Sequence, residues 1–123
     1  MTAERRSCRR FHPDGATVDW QSRADRSRGA TECPIGDLAR GGVRFMTPLP
    51  PGEGMPVKVT LKIPGEASPL VLEGTVVWTL LSGGQLHQAA VAFEPYSAAP
   101  GANDPATLER LVAIEARFPD PAD

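Results

Sequence analysis

The run Val57-Lys58-Val59-Thr60-Leu61-Lys62-Ile63 constrains the fold more than any other feature of the sequence. Every odd position is aliphatic and every even one is polar. A period of two puts the apolar set on one face of a pleated strand and the polar set on the other, the pattern of an antiparallel sheet with one dry face. Pro64-Gly65 ends the run, and similar punctuation recurs along the chain. Gly 12 and Pro 13 make up about a fifth of the 123 residues, which is high for a helical bundle and suits short strands joined by tight turns.

The neighbouring segments follow the same logic. Residues 16–21 predict a first strand with Val18 and Trp20 on one face, and residues 22–29 a polar surface loop. Thr31–Leu38 carries Cys33 and Ile35 on one parity but is interrupted by Pro34 and Gly36, which predicts an edge or bulged strand. Arg40-Gly41-Gly42 predicts a tight turn, with the paired glycines supplying positive φ. Val43 and Phe45 share a face of the next strand. Leu70–Leu80 predicts a long strand with Leu70, Leu72, Val76, Trp78 and Leu80 on the core parity. Gly74 within it predicts a bend, a bulge or a close backbone approach. Ser82-Gly83-Gly84 turns the chain, and Leu86–Glu94 returns as its hairpin partner. Asp104 as N-cap and Pro105 at the first helical position then start a helix. Leu108, Leu111, Val112, Ile114 and Phe118 give it helical spacing, and Pro119 and Pro121 stop it. The fold class expected is mainly β: a six-stranded antiparallel barrel over residues 11–123, a C-terminal α-helix at about 104–118 laid on the barrel, and a flexible Arg-rich arm at residues 1–10.

At 123 residues the chain is one domain, large enough to bury roughly 65–70% of its extended surface. No stretch approaches the roughly 18 apolar residues that span a bilayer, and the charged N-terminus lacks the apolar core of a secretory signal. Cys8 and Cys33 make neither a disulfide framework nor a metal-ligand spacing, so a reducing cytoplasm is the expected setting, with no metal and no membrane association. The net charge of −2 hides an asymmetry. Residues 1–30 hold seven arginines against four acids, net +3, while the remainder is net −5. A basic arm on an acidic body predicts a small anionic partner, because the body repels a long nucleic acid. No serine–histidine–acid elbow, HExxH or P-loop is present, and His12 and His87 lie far apart in sequence, so no enzyme activity is expected.

Two motifs remain: Glu4-Arg5-Arg6-Ser7-Cys8-Arg9-Arg10 and Asp37-Leu38-Ala39-Arg40-Gly41-Gly42. Together they resemble the PilZ family of bacterial cyclic di-GMP receptors, which carries an RxxxR motif before its barrel and a D/N-x-S-x-x-G motif on it. Both RxxxR registers are present, Arg5 with Arg9 and Arg6 with Arg10. The family context, Glu-Arg-Arg, three residues, Arg, selects Arg6 and Arg10 as the principal pair. Gly42-Val43-Arg44-Phe45, Gly74-Thr75-Val76-Val77-Trp78 and Ala90-Val91-Ala92-Phe93 look like successive family strands, with Ala90 where the family has Gly. The likeness runs over roughly residues 4 to 118. It implies that Arg5, Arg6, Arg9, Arg10, Asp37, Ala39, Arg40, Gly41 and Gly42 contact cyclic di-GMP, a ligand and not a cofactor.

The residue chemistry suits that ligand. Guanidinium forks take phosphates bidentately and stack on bases. Guanine O6 and N7 accept from Arg, and guanine N1–H and N2–H donate to a carboxylate such as Asp37. Two glycines let a bulky ligand approach the backbone. The arm is expected to fold over the ligand and order on binding, changing a surface read by a downstream protein partner. One departure bears on affinity: Ala39 stands where the family has Ser and cannot hydrogen-bond, which weakens binding by roughly three- to tenfold; Arg40 beside it is expected to reach a phosphate in partial compensation. A degenerate PilZ-like interaction module that has lost the nucleotide is the alternative, with Ala39 and Ala90 as traces of the loss. Without the second motif, residues 5–10 read as a solvated charged arm, and Asp37 with Gly41-Gly42 serves a hairpin turn in either case. Trp78 and Phe93 are expected in the core, Trp20 near the arm, Cys33 as an inert half-buried thiol, and the oligomeric state as monomer or homodimer.

Overall fold

The computed structural model describes residues 9–26 and 28–118. Arg5, Arg6 and Cys8, and with them most of the expected arm, lie outside the described residues, as do Pro119 and Pro121. Six strands and one helix follow in order: β1 Thr17–Ser22, β2 Gly29–Ala39, β3 Gly42–Thr47, β4 Pro56–Lys62, β5 Leu70–Gly83, β6 Leu86–Phe93 and α1 Pro105–Glu115. Every strand pairs antiparallel, and the sheet closes on itself in the order β1-β2-β3-β6-β5-β4. The body begins at Phe11, which exchanges both backbone hydrogen bonds with Leu38 at 2.9 and 2.8 Å.

The alternation read in the sequence fills this barrel. Val18 and Trp20 from β1, Val57, Val59 and Leu61 from β4, and Leu70, Leu72 and Val76 from β5 form one core with Phe45, Val91 and the helix residues Leu111 and Ile114. Trp20 belongs to this core: its indole Nε1 donates to the buried Thr47 hydroxyl at 3.1 Å, which lets a ring with a polar edge sit in a dry interior. Cys33 is fully buried, where the sequence suggested half burial. Closure leaves β2 no free edge, so of the two readings of Pro34 and Gly36 the bulge is the one realised, with the register shifting between Ile35 and Asp37.

Two glycines permit the close pairing around β6. A Cβ on Gly74 of β5 would lie 2.5 Å from Ala92 O and 2.7 Å from a Val91 methyl, so the expected close approach is its role. A Cβ on Gly42 of β3 would run into the Val91 carbonyl oxygen from the other side. Gly42 is therefore required for proximity, and neither Gly41 nor Gly42 has the positive φ that the turn reading assigned to the pair.

Two sequence expectations shift by local geometry. A register shift in β5 between Val76 and Trp78 reverses the parity beyond it. Trp78 leaves the core for a half-buried position, and Val77 and Leu80 are exposed. Phe93 packs against the core while partly exposed. At the C-terminus, the Asp104 cap forms as expected, its carboxylate accepting from Ala106 N at 2.9 Å. The helix ends at Glu115, however, three residues before Phe118. The chain tightens there into Arg117 N to Ile114 O and Phe118 N to Glu115 O bonds, both 3.0 Å, as helix ends commonly do, and Phe118 precedes a proline, which disfavours the α conformation. Val112 faces solvent and Glu115 takes the buried place. Asn103 fixes the approach to the helix: its side chain accepts from Glu73 N and donates to Glu73 O and Glu94 O at 2.8–2.9 Å.

Two outcomes follow from this packing. Gly74→Ala should lower stability by about 1–3 kcal/mol in urea denaturation, because the obstacle is neighbouring backbone and not a mobile side-chain tip. Burial, with a smaller contribution from the Asp19 charge, pushes the Cys33 thiol above its ordinary value, so it stays protonated at pH 8. In a Cys8→Ser variant, a thiol reagent at pH 8 should label nothing in the folded protein and one thiol after unfolding.

Candidate functional site

The β2–β3 hairpin builds the site. Its loop is two residues, Arg40 and Gly41, so Ala39 pairs with Gly42, Leu38 with Val43, and Asp37 with Arg44. Leu38 and Val43 turn inward; Asp37 and Arg44 face out together. Asp37 Oδ2 accepts from Arg44 Nη2 at 2.6 Å, and Arg44 Nη1 donates to Gln88 Oε1 on β6 at 3.2 Å. The Arg44 Nε is buried with no hydrogen-bond partner among the described residues. The bond to Asp37 and its negative charge raise the Arg44 pKa further. Tyr96 donates to the Arg40 carbonyl and steadies the turn.

A cleft of about 530 Å³ opens beside this pair. Arg10, Asp37 and Arg44 supply its charge, Ala39, Gly41 and Gly42 its floor, and Val77 and Trp78 with the Ala90–Ala92 stretch its apolar wall. A second hollow of about 540 Å³ is bounded by the same Arg10, Asp37 and Arg44 together with Phe11, His12, Gly36 and Phe118. The three charged residues therefore stand between two adjoining hollows. Arg10 is exposed and has no ion-pair partner among the described residues. The arrangement can take an anion on Arg10 and a planar group against Trp78, with Asp37 and Arg44 offering an acceptor and a donor side by side.

Of the residues singled out in the sequence, Arg10, Asp37, Ala39, Gly41 and Gly42 meet in this cleft. Arg9 and Arg40 do not line it. Both reach instead to Glu115 at the end of α1, with Arg9 Nε 3.3 Å from Oε2 and Arg40 Nε 3.0 Å from Oε1. Arg44 and Trp78 were missed as site residues. A signal for Arg44 was present: a two-residue hairpin loop at Arg40-Gly41 forces the Asp37–Arg44 pairing. Trp78 carried none, because its displacement comes from the bulge after Val76. Among the described residues, no group of three or more His, Cys, Asp or Glu is placed to hold a metal, and no helix is long and apolar enough to cross a membrane.

The two tryptophans give a direct check on the cleft wall. In a Trp20→Phe variant the remaining emission, from Trp78, should be readily quenched by acrylamide. In Trp78→Phe the emission from Trp20 should be blue-shifted and resist quenching.

The same architecture occurs in solved structures of low sequence identity. The PilZ domain of YcgR from Escherichia coli, solved with c-di-GMP, matches with a TM-score of 0.62 and 16% identity over 93% of this chain and 91% of that one. The K. pneumonia MrkH–c-di-GMP complex matches with a TM-score of 0.64 and 17% identity, covering 91% of this chain and 54% of that one. The Bacillus subtilis inhibitor of motility MotI/DgrA matches with a TM-score of 0.61 and 14% identity, covering 92% and 52%. The chain thus spans about half the length of MrkH and MotI/DgrA. A comparison with curated protein sequences finds no match. The profile of the PilZ domain matches residues 4–113, nearly the whole of the 123, with both arginine registers and the β2–β3 hairpin inside the matched span; the chain belongs to the PilZ domain family.

Proposed function

We propose that this chain is a cytoplasmic receptor domain for cyclic di-GMP, that it catalyses no reaction, and that the Arg-rich segment at residues 1–10 closes over the ligand and alters a surface read by a protein partner. The observation that carries the reading is the convergence of Arg10, the Asp37–Arg44 pair and the glycine floor on one cleft. The solved c-di-GMP complexes of similarly folded YcgR and MrkH support it.

Each part of the ligand has a fitting counterpart. Arg10, with Arg6 four residues earlier, offers forks to the phosphates. Asp37 accepts from the guanine N1–H and N2–H edge, and Arg44 donates to O6 and N7. Their mutual bond holds the two side chains side by side before the ligand arrives. Trp78 offers an aromatic face at the wall. Gly41 and Gly42 present bare backbone to the cleft. Ala39 lies in the same floor, so the missing hydroxyl is lost at the ligand surface itself.

Isothermal titration tests the reading. Wild-type protein should bind cyclic di-GMP in the low-micromolar range, and GTP, cyclic GMP or duplex DNA far more weakly. Arg6→Ala/Arg10→Ala should abolish the heat, and Ala39→Ser should tighten binding by roughly three- to tenfold, the value of one neutral hydrogen bond. No binding by wild type or Ala39→Ser up to several hundred micromolar would overturn the receptor reading and leave a protein-interaction module on the same barrel.

A further inference from the structure

We propose that Glu115 competes with the ligand phosphates for Arg9 and Arg40, so that cyclic di-GMP binding unfastens the end of the C-terminal helix. The proposal rests on the receptor reading above and concerns the regulation of that site.

The geometry around Glu115 is a double clamp. Its carboxylate is about 10% exposed and accepts from both arginines: Arg40 Nε at 3.0 Å on one oxygen, and Arg9 Nε at 3.3 Å and Arg40 Nη2 at 3.5 Å on the other. Arg9 spends its remaining nitrogens on the same end of the helix. Its Nη2 donates to Glu115 O at 2.7 Å and its Nη1 to Phe118 O at 2.6 Å. The last carbonyls of a helix lack intrahelical partners, and α1 has no basic residue of its own in its last turn. Arg9 supplies that missing cation from the other end of the chain. Phe11 completes the grip by stacking on Phe118, with ring centroids 5.3 Å apart.

Arg10 stands between these two gripping residues and lines the cleft. The same three-residue stretch thus holds the helix end through Arg9 and Phe11 and offers Arg10 to the ligand. Arg9 is the second member of one RxxxR register, and Arg40 lies beside the Gly41-Gly42 floor. A phosphate presents the same paired acceptors as a carboxylate, so one guanidinium fork serves Glu115 or the ligand, not both. When the phosphates win, a nearly buried carboxylate and two carbonyls lose their donors. That state is costly unless the helix end opens to water. Ligand binding and docking of residues 115–118 are therefore opposed, and the opposition is reciprocal.

Two measurements test this. Glu115→Gln keeps the size of the side chain and removes the charge that holds Arg9 and Arg40. Its affinity for cyclic di-GMP should be roughly tenfold tighter than wild type, the value of a charge-assisted hydrogen bond no longer broken. Hydrogen exchange on wild-type protein, which needs no variant, should show faster exchange of the Ala116, Arg117 and Phe118 amides when ligand is added. Wild-type binding with equal or weaker affinity in Glu115→Gln would overturn the proposal, since Glu115 would then be a fixed support for the arginines. Unchanged or slower exchange at 116–118 on saturation would overturn it too. No binding by wild type, Glu115→Gln or Ala39→Ser alike would strike the receptor reading itself, and this proposal with it.

Discussion

The pairing of β2 with β3 through a two-residue loop is the constraint on which the site depends. With only Arg40 and Gly41 between the strands, the register has no freedom, and a slip by one residue would turn Asp37 and Arg44 into the core and Leu38 and Val43 out to solvent. Burial of Leu38, Val43 and Phe45 opposes that slip. The hydrophobic core therefore sets the placement of a charged pair that it does not touch. Gly42 then lets β3 lie against β6 and Gly74 lets β5 do the same, so both flanks of the Val91–Ala92 stretch close tightly. The cleft is the outer surface of that closure.

The charges divide between holding the molecule and serving the site. Asp37 with Arg44 forms a neutral pair at the cleft, and Glu115 with Arg9 and Arg40 forms a cluster of net positive charge at the helix end. Arg10 lies between them without an ion-pair partner among the described residues. Such partly exposed pairs add little to stability because solvent screens them. They are better understood as positioning devices, each holding an arginine at a known place. The acidic body, net −5 beyond residue 30, gives arginines of the basic N-terminal stretch their partners: Glu115 for Arg9, and Glu73 and Glu94 for Arg23.

Much of the fold was legible in the sequence. The alternation of Val57–Ile63, the strand pair on either side of Ser82-Gly83-Gly84 and the Asp104-Pro105 helix start are local signals, and each element formed where its own residues placed it. The departures share a physical cause. Trp78 was expected in the core because parity was counted through Val76 without a break, and the bulge that resets it is settled by how β5 pairs with β6. The helix was expected to run to Phe118 because the spacing of its apolar residues continues to that point. It stops at Glu115, where Arg9 supplies donors from the far end of the chain.

By itself, then, the sequence determined the strand periodicity, the turn positions, the helix start and the residue types able to hold a phosphate and read a guanine edge. These depend on neighbours within a few positions. Only the tertiary structure decided which of those residues share a cleft. Asp37, Ala39, Gly41, Gly42 and Arg10 converge there, while Arg9 and Arg40 are drawn to Glu115, 106 and 75 residues away along the chain. A guanidinium goes to the best-placed anion in space, and barrel closure, not spacing along the chain, brings that anion within reach.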